Sequence, residues 1–198
     1  AGDFNGDGKA DLLWRHDNGT LGIWLLNNGA VQSTAGLGTV GTSWRIVGLG
    51  DFNGDGKADL LWRASDGTAA IWLMNGTSVL GTSGIGSVQT YWKIVGIGDF
   101  SGDGKADILW RADDGTLAIW FMNGLSTAST GSPPTSTWTI AGTGDYNGDG
   151  KADLLWRATD GRLGIWLMNG TSVLSTGGIS GVGNDWHIVG GEHDRPAA

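Results

Sequence analysis

Residues 2–15 read "GDFNGDGKADLLWR", and nearly the same string returns at 50–63, at 98–111 and at 144–157. The third copy carries Ser101 for the asparagine and Ile108 for a leucine, and the fourth carries Tyr146 for the phenylalanine. The leading aspartates, Asp3, Asp51, Asp99 and Asp145, are therefore 48, 48 and 46 residues apart. Three tryptophans recur at fixed places in every unit: Trp14, Trp62, Trp110 and Trp156; Trp24, Trp72, Trp120 and Trp166; Trp44, Trp92, Trp138 and Trp186. They account for all 12 tryptophans of the 198-residue chain, so four units fill it, and the period places it among repeat architectures.

Within a unit the pattern is that of strands. "ADLLWR" is short and apolar and runs into "HDNG", "ASDG", "ADDG" or "ATDG", which are hairpin turns. "LGIWLLNNG" and its counterparts follow and close on Asn-Gly. A variable Gly/Ser/Thr stretch comes next, then "WRIVGLG" or its equivalent leads into the next aspartate run. Four meandering strands in about 48 residues make one blade of a β-propeller. Both alternating faces of Leu21–Leu26 are apolar, as a sheet packed between two neighbours requires. The tryptophans then fill the wedges between sheets. The third unit is two residues shorter between Trp120 and Trp138, where Pro133 and Pro134 lie, which places the variable stretch at the outer edge.

The expected fold is all-β: four antiparallel blades over residues 1–190, a single propeller, with 191–198 as a tail. The first unit lacks its leading strand and the chain ends on a spare "WHIVGG", so the two ends close a ring with Ile188 and Val189 beside Leu12 and Leu13. One chain can close as four blades, or two can join head to tail into an eight-bladed dimer. The glycine-rich inner strand points toward the second.

Composition excludes several classes. The formal net charge of −8 leaves no basic face for nucleic acid. No apolar run approaches the ~20 residues of a membrane span. No cysteine is present, so there is neither a disulfide framework nor a thiolate site, which fits a secreted, extracellular module. The three histidines do not repeat, no zinc spacing or nucleophile elbow occurs, and Glu192 is the only glutamate. No enzyme is expected.

The aspartate run itself carries chemistry. In the first copy oxygen side chains fall at Asp3, Asn5, Asp7 and Asp11, and Lys9 offers its backbone carbonyl. Calcium takes six to eight hard oxygen ligands, and a loop alternating ligand and spacer can wrap it. The matching sets are Asp51, Asn53, Asp55, Lys57 and Asp59; Asp99, Ser101, Asp103, Lys105 and Asp107; and Asp145, Asn147, Asp149, Lys151 and Asp153. Three carboxylates about 5 Å apart repel by roughly 3 kcal/mol per pair at an effective dielectric near 20, which a cation would relieve. Four Ca²⁺ would also offset the formal charge of −8.

"DFNGDGKADLL" resembles the D-x-D/N-x-D/N-G-x-x-D loop of FG-GAP/VCBS repeats, and the resemblance covers all four units. Those repeats build propellers such as the integrin α-subunit head and secreted propeller lectins. The resemblance implies a structural Ca²⁺ in each loop and a binding module. Ser101, a weaker ligand than an amide carbonyl, makes the third loop the weakest.

Topology predicts a second candidate site on the face of the inner-strand starts and x-Asp-Gly turns. There Trp44 should meet Arg63 and Asp66, Trp92 should meet Arg111 and Asp114, Trp138 should meet Arg157 and Asp160, and Trp186 should meet Arg15 and Asp17. An indole beside a guanidinium and a carboxylate suits a sugar, and glycans are the expected ligands. The alternative is a structural or interaction scaffold, an appendage of a larger secreted protein or an engineered repeat, with calcium as its only ligand.

Overall fold

The computed structural model describes residues 1–188 and is all-β. The first repeat contributes β1 (Leu12–Arg15), β2 (Thr20–Asn27) and β3 (Ala30–Thr39), a three-stranded antiparallel sheet. The second gives β4 (Trp44–Gly50), β5 (Asp59–Ala64), β6 (Thr68–Asn75) and β7 (Ser78–Ser87). The third gives β8 (Trp92–Gly98), β9 (Asp107–Ala112), β10 (Leu117–Asn123) and β11 (Ser126–Gly131). The fourth gives β12 (Thr139–Gly144), β13 (Asp153–Arg157), β14 (Leu163–Asn169) and β15 (Ser172–Ile179). Each of the last three is a four-stranded meander in chain order, the blade that the repeat predicts.

The turns explain the meander. Gly19, Gly67, Gly115 and Gly161 adopt φ near +90°, where a side chain is strained, so each x-Asp-Gly or Asn-Gly turn reverses the chain tightly. The inner strand is bulged in the three complete blades, with register shifts between Ile46 and Gly48, Ile94 and Gly96, and Ile140 and Gly142. A Cβ on Gly96 would lie 2.5 Å from the Thr143 side chain, so the approach of the neighbouring blade demands glycine there. The outer strand is shortest in the third repeat, and Pro133 and Pro134 lie outside it.

The chain divides into two compact units: Ala1–Thr90 with Met122–Thr127, and Tyr91–Phe121 with the chain from Ala128 onward. Each has its own core. In the first, Phe4, Leu21 and Ile23 pack against Leu60, Trp62 and Met74. In the second, Phe100, Leu117 and Ile119 pack against Leu154, Trp156 and Met168. The same positions thus join repeat one to repeat two and repeat three to repeat four.

Two expectations need correction. The tryptophans do not all fill wedges: Trp62, Trp110 and Trp156 are about 1% exposed, but Trp14 is 49%, Trp24 40% and Trp186 65% exposed. The strand expected to complete the first blade is also not formed among the described residues. β1 pairs only with β2, residues 186–188 carry no strand, and Val189 lies outside the described residues, as does the 191–198 tail.

Candidate functional site

The four aspartate loops share one hydrogen-bond scheme. In the first, Asp3 Oδ1 accepts from the Gly6 and Asp7 N–H groups at 2.8 and 3.2 Å, and Oδ2 accepts from Gly8 N–H at 2.7 Å. Asn5 Oδ1 accepts from Asp7 N–H, and Asp7 Oδ1 from Lys9 N–H, both at 2.9 Å. The loop is therefore wound around its first carboxylate by its own backbone, and Gly6 and Gly8 take the positive φ that the winding needs. Asp51 and Asp145 receive the same three bonds. The N–H of Gly150 foremost, and others after it, hold the Asp145 carboxyl below the ordinary range.

The last aspartate of each loop does something the sequence did not reveal. Asp11, Asp59, Asp107 and Asp153 are fully buried. Asp59 Oδ2 accepts from Phe52 N–H at 2.9 Å, and its Oδ1 accepts from Met74 N–H, on β6, at 2.8 Å. Asp11 does the same for Phe4 and Leu26, and Asp153 for Tyr146 and Met168. Each of these three carboxylates ties its loop to the second strand of the following hairpin. Burial pushes the Asp59 carboxyl up to about 6; the Met74 and Phe52 N–H groups oppose that, and the charges of Asp55 and Asp51 add to it.

These loops offer only hard oxygen donors, the kind calcium takes. Among the described residues, however, no three carboxylate or imidazole groups converge as a ready-made metal cluster. The buried aspartate faces backbone N–H groups, and Lys9, Lys57 and Lys105 each place an ammonium 3.2–3.4 Å from the middle aspartate of their loop, Asp7, Asp55 and Asp103. The donors thus fit a divalent cation in kind, and binding one requires the lysine to leave. The third loop differs as its sequence suggests: Ser101 Oγ donates to Asp99 Oδ1 at 3.2 Å, whereas Asn5, Asn53 and Asn147 accept a backbone N–H.

On the other candidate face the inner strand runs antiparallel to its neighbour as expected, with Trp44 opposite Ala64, Arg45 opposite Arg63 and Trp92 opposite Ala112. The side chains are not grouped as expected. Each arginine reaches forward to the segment before the next inner strand: Arg15 donates to the carbonyls of Trp44, Val40 and Gly41, Arg63 to Val88 and Gln89, Arg111 to Ser136, and Arg157 to Trp186 and Gly183. Trp186 thus meets Arg157 rather than Arg15. The turn aspartates cap their own turns, Asp66 accepting from Thr68 N–H, Asp114 from Thr116 N–H and Asp160 from Arg162 N–H. In the first repeat that duty falls to Asn18, which caps Thr20, and Asp17 stands one residue earlier.

Trp44 consequently sits with Arg15 and Asp17, not with Arg63 and Asp66. They line an open cleft of about 400 Å³ together with His16, Thr42 and Arg45. The Arg15 guanidinium also lies 5.4 Å from the Trp62 ring centroid. His16 replaces an alanine of the other three repeats, a signal visible in the sequence but not used there.

Meander sheets at a 48-residue period, each headed by an oxygen-rich loop, define a repeat protein built from propeller blades. The chain belongs to the FG-GAP-like repeat family, whose model matches residues 3–62, 51–110 and 99–156. No curated protein sequence matches it. Among solved structures it is similar to the C-terminal WD40 domain of Sif2, at 17% identity, 92% of this chain, 46% of that one and a TM-score of 0.39. It is also similar to the computationally designed Ika8 protein, at 16% identity, 86% of this chain, 47% of that one and a TM-score of 0.45. A Photorhabdus luminescens Tc holotoxin pore matches at 14% identity, 90% of this chain, 12% of that one and a TM-score of 0.44. The chain spans less than half the length of each. Among the described residues no helix is long and apolar enough to cross a membrane.

Proposed function

We propose that this chain is a calcium-stabilised, extracellular binding module that recognises glycans, with no catalytic role. In each loop, bound Ca²⁺ would supply a fixed positive charge to oxygens of the first three ligand positions and the lysine carbonyl. The buried aspartate would join them through its remaining lone pairs while still tying the loop to the hairpin.

The observation that carries the glycan reading is the cleft of the first repeat. Trp44 offers a ring for stacking on a sugar's C–H face, and Arg45, His16 and Asp17 offer donors and acceptors for hydroxyls. A glycan array run with calcium and with EDTA tests it. Binding should occur with calcium, and Trp44→Ala should weaken it while leaving the circular dichroism spectrum intact. Silence across the array rejects the glycan reading.

One observation favours a scaffold instead. All four repeat arginines already donate to backbone carbonyls, which makes them pins of the blade rather than hydroxyl binders. On that reading calcium is the only small ligand and self-association the remaining partner interaction. Light scattering distinguishes a monomer from a head-to-tail dimer.

A further inference from the structure

The third repeat differs from the others at one place. In the first repeat, Leu37 and Val40 stand seven and four residues before Trp44 and pack onto the core that contains Trp62, Trp44 and Trp72. In the shortened third repeat the same distances before Trp138 fall on Gly131 and Pro134, and Pro134 is exposed. None of the hydrophobic side chains in the corresponding core around Trp156, Trp138 and Trp166 comes from 123–137, where Pro133 is the buried residue.

The backbone shows the same loss. A Cβ on Gly19, Gly67 or Gly161 would meet the carbonyl oxygen of Val40, Val88 or Val182 within 2.1 Å, because that segment folds down on the turn. On Gly115 it would find the nearest such oxygen, that of Ser136, at 3.8 Å. The fourth blade carries Gly164 where the second and third carry Ala70 and Ala118, and a Cβ there would press on the Trp138 ring at 3.3 Å.

The result is a cleft of about 210 Å³ lined by Trp138, Trp156 and Trp166, by Ser136 and Thr176, and by Gly164, Gly177 and Gly178. The Trp156 and Trp166 rings are 4.8 Å apart and tilted by 53°. The Trp156 indole Nε1–H is buried without a hydrogen-bond partner. Trp62 Nε1 shares that condition, so the orphaned donor is a feature of the repeat and the cleft lined by Trp156 is what sets the fourth blade apart.

We propose that this cleft binds a single neutral sugar ring. Aromatic walls suit the C–H faces of a pyranose, and an orphaned N–H together with two hydroxyls suits its oxygens. A cationic ligand is disfavoured because Arg111 already lies 5.8 Å from the Trp156 ring centroid and Arg162 5.5 Å from that of Trp138. No lining side chain is charged, and the two guanidiniums sit on the rings rather than in the lining, which favours a neutral ligand. The volume falls below the roughly 300 Å³ of drug-sized pockets, so one ring fits rather than a chain. The proposal rests on the glycan reading above but concerns a different site.

The test is saturation-transfer NMR on the calcium-loaded chain with a panel of methyl pyranosides. Gly178 is directly paired with Gly164, which is paired with Trp156, so all three share a face, and a Cβ at 178 meets nothing within 4 Å. Gly178→Leu therefore fills the cleft without strain, while Gly84→Leu places the same bulk at the matching register position of the second blade, outside the cleft. The expected result is a bound pyranoside whose affinity drops about tenfold or more in Gly178→Leu and is unchanged in Gly84→Leu. Binding that survives Gly178→Leu but disappears in Trp44→Ala overturns this proposal and leaves the first-repeat reading standing. No signal from any pyranoside also overturns it, and the glycan array then decides the wider reading separately.

Discussion

The first and second repeats carry the same tryptophan pair in different surroundings. Trp14 and Trp24 lie 5.1 Å apart, and so do Trp62 and Trp72, with interplanar angles of 57° and 49°. Yet Trp14 is 49% exposed and Trp62 about 1%. The hairpin fixes the geometry of the pair, while burial comes from the preceding repeat, whose Leu21, Ile23, Leu37 and Val40 pack in the Trp62 core. Much of a blade's stability is thus held at its interface with a neighbour, as in other repeat arrays.

Substitution breaks this contrast most directly. Trp62→Ala should cost about 3–5 kcal/mol, as large-to-small core changes do, whereas Trp14→Ala should cost about 1 kcal/mol or less for want of a cavity. Urea unfolding monitored by circular dichroism measures both, and equal losses would show that the two surroundings do not differ in solution. Asp59→Ala should cost about 2–4 kcal/mol by leaving the Phe52 and Met74 N–H groups buried without an acceptor. The exposed turn cap Asp66 should cost about 1 kcal/mol or less on the same change.

A smaller contrast separates the turns. Gly67→Ala combines a φ of +90° with a Cβ 2.1 Å from a carbonyl oxygen, while Gly115→Ala has the φ alone. Gly67→Ala should lower the melting temperature more, and equal shifts would show that the third repeat is no looser than the second. The smallest effect is on pH. The Asp59 carboxyl titrates near 6 when folded, above the ordinary value of 3.8, so its contribution to stability is present below pH 4 and lost as pH rises through 6. Chelated protein should therefore lose stability across that window, and Asp59→Asn should flatten the loss.

Much of this fold was legible because its signals are local. The Asn-Gly and x-Asp-Gly turns, the period of the aspartate runs and the apolar "ADLLWR" segments specify meander blades and their strand order. The site was less so. That Arg63 would reach Val88 and Gln89 depends on how the outer strand returns to the next inner strand, which no local pattern encodes. Asp17 is the aspartate of the first turn, but counting from Arg15 or back from Gly19 puts Asn18 in the place of Asp66. The buried role of Asp11, Asp59, Asp107 and Asp153 was hidden because a carboxylate that accepts backbone N–H groups and one that binds a cation are the same residue in the same motif. The two-residue deletion was visible in the chain, but the cleft beside Trp156 appears only once Leu37 and Val40 are seen to fill its counterpart.

The most direct test of the account is a calorimetric calcium titration of chelator-treated protein, paired with melting curves before and after. Uptake at the aspartate loops, weakest at the one containing Ser101, with a melting temperature that climbs as calcium is added, is the predicted result. No heat of binding and an unchanged melting temperature would contradict it.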